Sequence, residues 1–174
     1  MRLRYLLPAF ALLALLVLLG IGLTRDPRTV PSPLIGKPAP AFSVGELGAP
    51  ADARVTLAEL QGRPLLVNFF ASWCAACVIE HPVLMQLAAS GVEIIGVDYK
   101  DTDEDVRAWL ERHGNPYRRV LTDPQGAMGL DWGVYGAPET FVLDARGVIV
   151  HKQIGPLDEA SWRDTVAPLL GLKP

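Results

Sequence analysis

Cysteine is almost missing from this chain: its 174 residues carry two, Cys74 and Cys77. With no second pair, a closed zinc site of the Cys-rich kind lacks its donors. A disulfide scaffold is also disfavoured. One bridge across so short a loop is worth only about 2 kcal/mol on a chain-entropy estimate. An excess of basic charge is missing too. The formal charge is −3, and losing Arg2 and Arg4 with the first 23 residues brings it to −5. That argues against nucleic acid as a partner. Charge of either sign is absent from Leu6 to Leu23, and apart from that leucine-rich run there is no repeat or low-complexity tract.

The charge-free run is 18 residues long, near the lower limit for a membrane span. Arg2 and Arg4 before it keep the N-terminus in the cytoplasm and send the rest across. A cleaved signal peptide needs a shorter apolar core and a small-x-small site. Gly20-Ile21-Gly22 matches that poorly, and the apolar run continues past it. The expectation is an uncleaved anchor over residues 1–23. Pro27, Pro31, Pro33, Pro38 and Pro40 then make residues 24–41 an extended tether. Residues 42–174 suffice for one domain with a substantial core. Cysteines on the outer side of a membrane are oxidised by default, so a reducing dithiol there needs an electron supply.

The two cysteines stand where a strand hands over to a helix. Leu65-Leu66-Val67-Asn68-Phe69-Phe70 is an apolar run bounded by the Gly62-Arg63-Pro64 turn, and it reads as a strand buried on both faces. Val78 to Ala88 is long enough for a helix. A helix start offers free N–H groups and a positive dipole end, which stabilise a thiolate. Cys74 gains most, and Cys77, one turn in, stays closer to an ordinary, partly buried thiol. Three readings are open: a structural disulfide, a metal site, and a redox dithiol. Copper held by Cys74, Cys77 and His81 is the metal version that is hardest to dismiss. The redox dithiol is favoured.

Further strands are expected at 42–44, 54–57, 92–97, 119–121, 141–143 and 148–154. Thr102 caps a helix that carries Val106, Trp109, Leu110 and His113 on one face and stops at Gly114. Residues 127–132 form a short helix. Asp158 or Ser161 caps a last helix carrying Trp162, Val166, Leu169 and Leu170. The Asp144-Ala145-Arg146-Gly147 turn makes the final strand pair an antiparallel hairpin. The order β-α-β-α-β-β-α with right-handed crossovers gives an α/β fold, a central mixed sheet flanked by helices. The dithiol then lies beyond the carboxyl end of a central strand. His113 reads as a solvated histidine at a helix end rather than a ligand, His151 as structural or solvated, and Trp132 as packing.

Trp73-Cys74-Ala75-Ala76-Cys77 after an apolar strand, with Pro138 before a hairpin strand, resembles the thioredoxin superfamily over residues 35–170. Glu80-His81-Pro82, Gly133-Val134-Tyr135-Gly136-Ala137-Pro138-Glu139-Thr140 and Val97-Asp98-Tyr99-Lys100-Asp101 narrow it. These look like the membrane-anchored reductases of cytochrome c maturation, the DsbE/CcmG group. The resemblance implies that Cys74 attacks, Cys77 resolves, and Pro138 forms a cis bond with Ala137. It implies substrate binding along Tyr135, Ala137 and Pro138. Trp73, Glu80 and Glu139 would tune the dithiol: a carboxylate nearby disfavours the thiolate, and if partly buried it relays protons. The competing reading makes Glu80 and Glu139 solvated surface groups. The family has no metal or organic cofactor; the Cys74–Cys77 disulfide is the redox group. Its client is the Cys-x-x-Cys-His segment of an apocytochrome c, or a haem-ligation partner. Electrons come from a membrane thiol transporter, and the domain faces the periplasm from the bacterial inner membrane. A general envelope reductase and a copper-binding assembly protein are the alternatives. One departure is Ala75-Ala76 between the cysteines, where many superfamily members carry a proline.

Overall fold

The computed structural model describes residues 3–23 and 32–172. It divides into two compact units, Met1–Val30 and Pro31–Pro174. In the first, helix α1 runs Leu3–Leu23 with Pro8 inside it. Side chains are described in α1 from 7 to 22. Among the described residues no helix is long and apolar enough to cross a membrane, so the anchor over 1–23 stays a proposal.

The second unit is built on one mixed sheet of seven strands in the order β2-β1-β5-β4-β3-β6-β7. The strands are β1 Ser43–Glu46, β2 Val55–Thr56, β3 Leu65–Phe70, β4 Ile94–Tyr99, β5 Arg119–Asp123, β6 Glu139–Leu143 and β7 Ile149–Ile154. β3, β4 and β5 are parallel, while β6, β7, β1 and β2 join them antiparallel. Every residue of β3 is buried, as its unbroken apolar run requires. Side chains alternate across it. Leu65, Val67 and Phe69 pack with Trp132 and Phe141, and Leu66 and Phe70 pack on the other face with Leu84, Trp109 and Val142. That second face carries α2, Ala75–Ala89, and α3, Asp103–His113. Thr102 caps α3 by accepting the Asp105 N–H at 3.2 Å, and Gly114 ends it at φ 91°.

Three segments depart from the sequence reading. The strand expected from Val92 starts at Ile94 and runs to Tyr99. Val92 still closes the end of α2, its N–H donating to the Leu87 carbonyl. Glu93 is drawn into ion pairs with Arg63 and Arg118. The tether expected to reach residue 41 ends sooner. The Gly36 and Ala39 N–H groups donate to Ile149 and Gly147, Pro38 bridges Val148, and Ala39 is buried. Its prolines remove few donors that this pairing uses, so the segment docks on the hairpin; residues 24–31 lie outside the described ones. The single last helix is three pieces: α5 Glu159–Ser161 capped by Asp158, a wider π turn Trp162–Val166, and α6 Ala167–Leu169. Pro168 has no N–H for the Asp164 carbonyl and its ring crowds it. Widening the turn, with Ala167 N–H reaching back to Trp162, absorbs the conflict. The short helix near 127 is α4, Ala127–Asp131.

Candidate active site

Cys74 and Cys77 are joined in a disulfide. Cys74 is the N-cap of α2, and its Sγ accepts the Cys77 N–H at 3.0 Å. When the bond opens, the same N–H and the helix dipole are aimed at a Cys74 thiolate. Both cysteines are buried, Cys77 the more deeply. Trp73 beside them is exposed, and its indole N–H donates to the Lys100 carbonyl at 3.1 Å. The Ser72 N–H donates to Asp101 Oδ2 at 2.6 Å. The 100–101 corner thus holds the lip of the dithiol loop. Lys100 sits at φ 53° to make it, a conformation that costs a non-glycine residue about 1 kcal/mol. Across the sheet the Ala137–Pro138 bond is cis. The β3–β6 register pairs Phe69 with Glu139, which sets Pro138 level with the end of β3, where the dithiol loop begins.

Glu80 is a buried carboxylate, 1% exposed, on the same helix as Cys77. Its Oε1 accepts from Asn68 Nδ2 at 2.8 Å and its Oε2 from the Leu157 N–H at 2.8 Å. Burial pushes it up to about 7, against the pull of those two donors. Asn68 also donates to Thr140 Oγ1 at 2.9 Å and accepts the Tyr117 hydroxyl at 2.8 Å. A carboxyl poised near neutrality beside a dithiol can take and return a proton.

Glu139 is equally buried, at 1%, so neither carboxylate is a solvated surface group. The two lie on opposite faces of the sheet, however. Glu139 pairs in register with Phe69, whereas Thr140, its neighbour, pairs with Asn68 and reaches the Glu80 network. Successive strand residues point to opposite faces, so Glu139 lies on the Trp132 face of the sheet, away from α2. Its Oε1 accepts the Tyr135 N–H at 2.9 Å, and its Oε2 is 2.9 Å from Lys152 Nζ. Lys152 also donates to the Gly133 carbonyl and lies 4.4 Å from the Tyr135 ring centre. This pair braces the 133–138 loop from below and leaves the Tyr135 ring 71% exposed. Trp73 adjoins the dithiol, Ala137 packs against the cluster that holds Cys74 and Cys77, Glu80 lies one turn along the same helix, and Glu139 supports the loop that carries Tyr135.

His81 is buried, with Nε2 3.2 Å from the His113 and Gly114 carbonyls and its ring edge-on to Trp109. Burial lowers its pKa. It ties α2 to the end of α3, and among the described residues no group of three His, Cys, Asp or Glu is placed to hold a metal. His113 is half-buried against Trp109 rather than solvated. His151 is half-buried in β7, and burial lowers its pKa. Trp132 is fully buried among Phe42, Phe69 and Phe141. Sequence reasoning missed Asn68, Tyr117, Thr140 and Lys152. Asn68 alone left a mark, a polar residue within an apolar run. It also missed Asp98 as a buried acid. Burial first, then the charges of Asp101, Asp103 and Asp123, push Asp98 up to about 8.

Known proteins agree with this geometry. The Redoxin family matches residues 34–167. The thiol:disulfide interchange protein DsbE of Allochromatium vinosum is 48% identical over 96% of this chain and 92% of its own. The DsbE of Pseudomonas aeruginosa is 47% identical over 94% of this chain and 91% of its own. The crystal structure of thio-disulfide isomerase from Thermus thermophilus superposes with a TM-score of 0.64 at 27% identity, covering 80% of this chain and 99% of that one. A Cys-x-x-Cys disulfide at a helix N-cap, on a thioredoxin-like sheet, matched from residue 34 to 167, leads to one conclusion: the chain belongs to the Redoxin family and is a thiol:disulfide oxidoreductase homologous to the DsbE proteins.

Proposed function

We propose that the protein is a reductant of the bacterial envelope that keeps the Cys-x-x-Cys-His segment of apocytochrome c reduced for haem attachment, directly or through a haem-ligation partner. The observation that carries this is the near full-length relation to DsbE proteins, supported by this chain's own site: a helix-capping Cys74, a buried Glu80 and a braced 133–138 loop. Residues 1–23 anchor the domain in the inner membrane, with the catalytic unit in the periplasm, and a membrane thiol transporter returns the electrons.

In the forward step the Cys74 thiolate attacks one sulfur of the substrate disulfide. That bond breaks, a mixed disulfide forms, and the leaving substrate thiolate takes a proton from solvent, where Cys74 had released its own on ionising. Cys77 then loses its proton to Glu80 and attacks Cys74 Sγ. The Cys74–Cys77 disulfide closes, and the second substrate sulfur leaves as a thiolate that takes the proton back. Two electrons pass from the protein dithiol to the substrate. Tyr135, Ala137 and Pro138 receive the substrate backbone, with Trp73 on the other side. The only redox group required is the cysteine pair itself.

Cys77→Ser in the envelope should trap a mixed disulfide through Cys74 with a haem-attachment client, and Cys74→Ser should trap none. Deleting the gene should remove covalent c-type haem while other envelope disulfides stay normal. Trapping of many unrelated proteins, with c-type haem intact, would replace this reading by a general envelope reductase.

A further inference from the structure

Glu80 faces one group whose orientation is ambiguous by itself. The Asn68 amide has an acceptor end and a donor end of the same shape, and a half-turn about its last bond exchanges them. Three partners surround it: Glu80 Oε1, Thr140 Oγ1 and the Tyr117 hydroxyl. Thr140 does not choose, because a threonine hydroxyl donates or accepts equally. Glu80 chooses only when it is ionised. When it is protonated it also suits the reversed amide, giving its own hydrogen to the carbonyl end. Tyr117 is then the partner that holds the amide in place: a phenol oxygen also accepts, but among the described residues the only acceptor for the Tyr117 proton is Asn68 Oδ1, 2.8 Å away, and the reversed amide would strand it. With Oδ1 taken, both N–H bonds are turned to Glu80 and Thr140.

The fold takes trouble to place this hydroxyl. Tyr117 lies 49 residues from Asn68, in the segment between α3 and β5, and is 6% exposed. Its ring stacks on Phe70 at 4.6 Å. Gly96 in β4 makes the room: a Cβ there would stand 2.8 Å from the Tyr117 ring and 2.9 Å from that of Phe70. The Tyr117 N–H is itself fixed by Asn115 Oδ1 at 2.9 Å.

We propose that Tyr117 is a positioning residue for Glu80, locking the Asn68 amide so that it presents N–H rather than carbonyl oxygen to Glu80 whether that carboxyl is protonated or ionised. The inference rests on Glu80 being the proton acceptor of the exchange. The groups facing Glu80 are Asn68 from β3, Thr140 from β6, the Leu157 N–H, Tyr117, and Cys77 one turn back on its own helix. The causes acting on its pKa are burial and its two donors, with no charged side chain among them. The donor from Asn68 is therefore one of two forces that hold the carboxyl near neutrality. Losing the lock lets the carbonyl end turn in when Glu80 is protonated and accept its hydrogen, which favours the protonated form.

The test is NMR on the full-length chain in a mild detergent, with labelled Glu carboxyl carbons and Asn side-chain amides. Tyr117→Phe should raise the Glu80 midpoint by about one unit, a tenfold gain in proton affinity. Thr140→Val, which removes the indifferent partner, should raise it less. In the unmodified chain the Asn68 NH2 protons should lie close to Thr140, and the Tyr117 hydroxyl proton should report a bond to Oδ1. An unmoved midpoint in a folded Tyr117→Phe protein overturns the proposal. So does an Asn68 NH2 group turned toward Tyr117 in the unmodified chain, a result that needs no variant to fold. The pH profile of thiol–disulfide exchange is read alongside. If exchange ignores the Glu80 midpoint while Tyr117→Phe still moves it, the proton-acceptor role fails and the positioning stands.

Discussion

Replacing Glu80 by Gln removes a titration that works against the fold. Glu80 is 1% exposed and titrates at about 7, against 4.5 for an ordinary glutamate. Its pKa is raised on folding, so its contribution to stability is fully present below 4.5 and is lost as pH rises through 7. Between pH 5 and pH 8 the linkage amounts to about 2.5 kcal/mol lost by the unmodified protein. The Gln side chain does not titrate. It keeps an acceptor for one of the two N–H donors, from Asn68 or Leu157, and sets an NH2 against the other. That mismatch is a constant cost, so the quantity to measure is the change in the stability difference, not the difference itself. Urea unfolding of the oxidised chain in mild detergent, at pH 5 and pH 8, should show the Gln variant gaining about 2.5 kcal/mol on the unmodified protein. The pH profile of exchange should lose its inflection near 7 in the same variant. A stability difference that moves by less than about 0.5 kcal/mol across the window would mean that Glu80 is ionised at both pH values in the fold, and the proton-acceptor role would go with it.

Asp98 should behave alike at higher pH. Among the described residues its two buried oxygens have no hydrogen-bond partner, and it titrates at about 8, so its contribution also falls as pH rises. Asp98→Asn should therefore gain on the unmodified protein between pH 5 and pH 9 in the same unfolding assay. Lys152→Met should cost about 3–5 kcal/mol, because it strands the buried Glu139 charge. Lys152→Met combined with Glu139→Gln should cost less than the two single changes summed, and full additivity would show that they are not coupled. Gly96→Ala should cost about 1–3 kcal/mol by overpacking Phe70 and Tyr117. It should also raise the Glu80 midpoint as Tyr117→Phe does, a shift that a merely packing role for Tyr117 would not produce.

The parts legible in the sequence were those specified locally. An apolar run without alternation gave β3, Thr102 and Gly114 bounded α3, and a short Asp-Ala-Arg-Gly turn gave the β6–β7 hairpin. What escaped was set by partners distant along the chain. The start of β4 depends on Glu93 meeting Arg63 and Arg118. The docking of residues 36–39 depends on free edge groups at 147–149. The burial of Glu80 was not visible, because a glutamate three residues after Cys77 reads the same whether a strand or water covers it. Lys152 sits in a strand with no sign that its charge turns inward, since its partner is 13 residues back across the hairpin.

The placement of the two carboxylates changes what each can do for the dithiol. Taken from the sequence, Glu80 and Glu139 form a pair of negative charges that together disfavour a thiolate. In the fold the sheet separates them, and Lys152 stands against Glu139 at 2.9 Å. A neutralised charge on the far face contributes little to the potential at Cys74, even in a medium of low dielectric constant. Glu139 therefore acts by shape: it holds the Tyr135 N–H and, through Lys152, the Gly133 carbonyl, and so fixes the 133–138 loop. Glu80 has no such counter-charge. Its anion is stabilised by two N–H dipoles alone, which leaves it able to change protonation state without breaking an ion pair. A carboxylate that holds geometry is served by a fixed partner, and one free to change protonation state is served by none. The buried lysine on one face and its absence on the other follow that division.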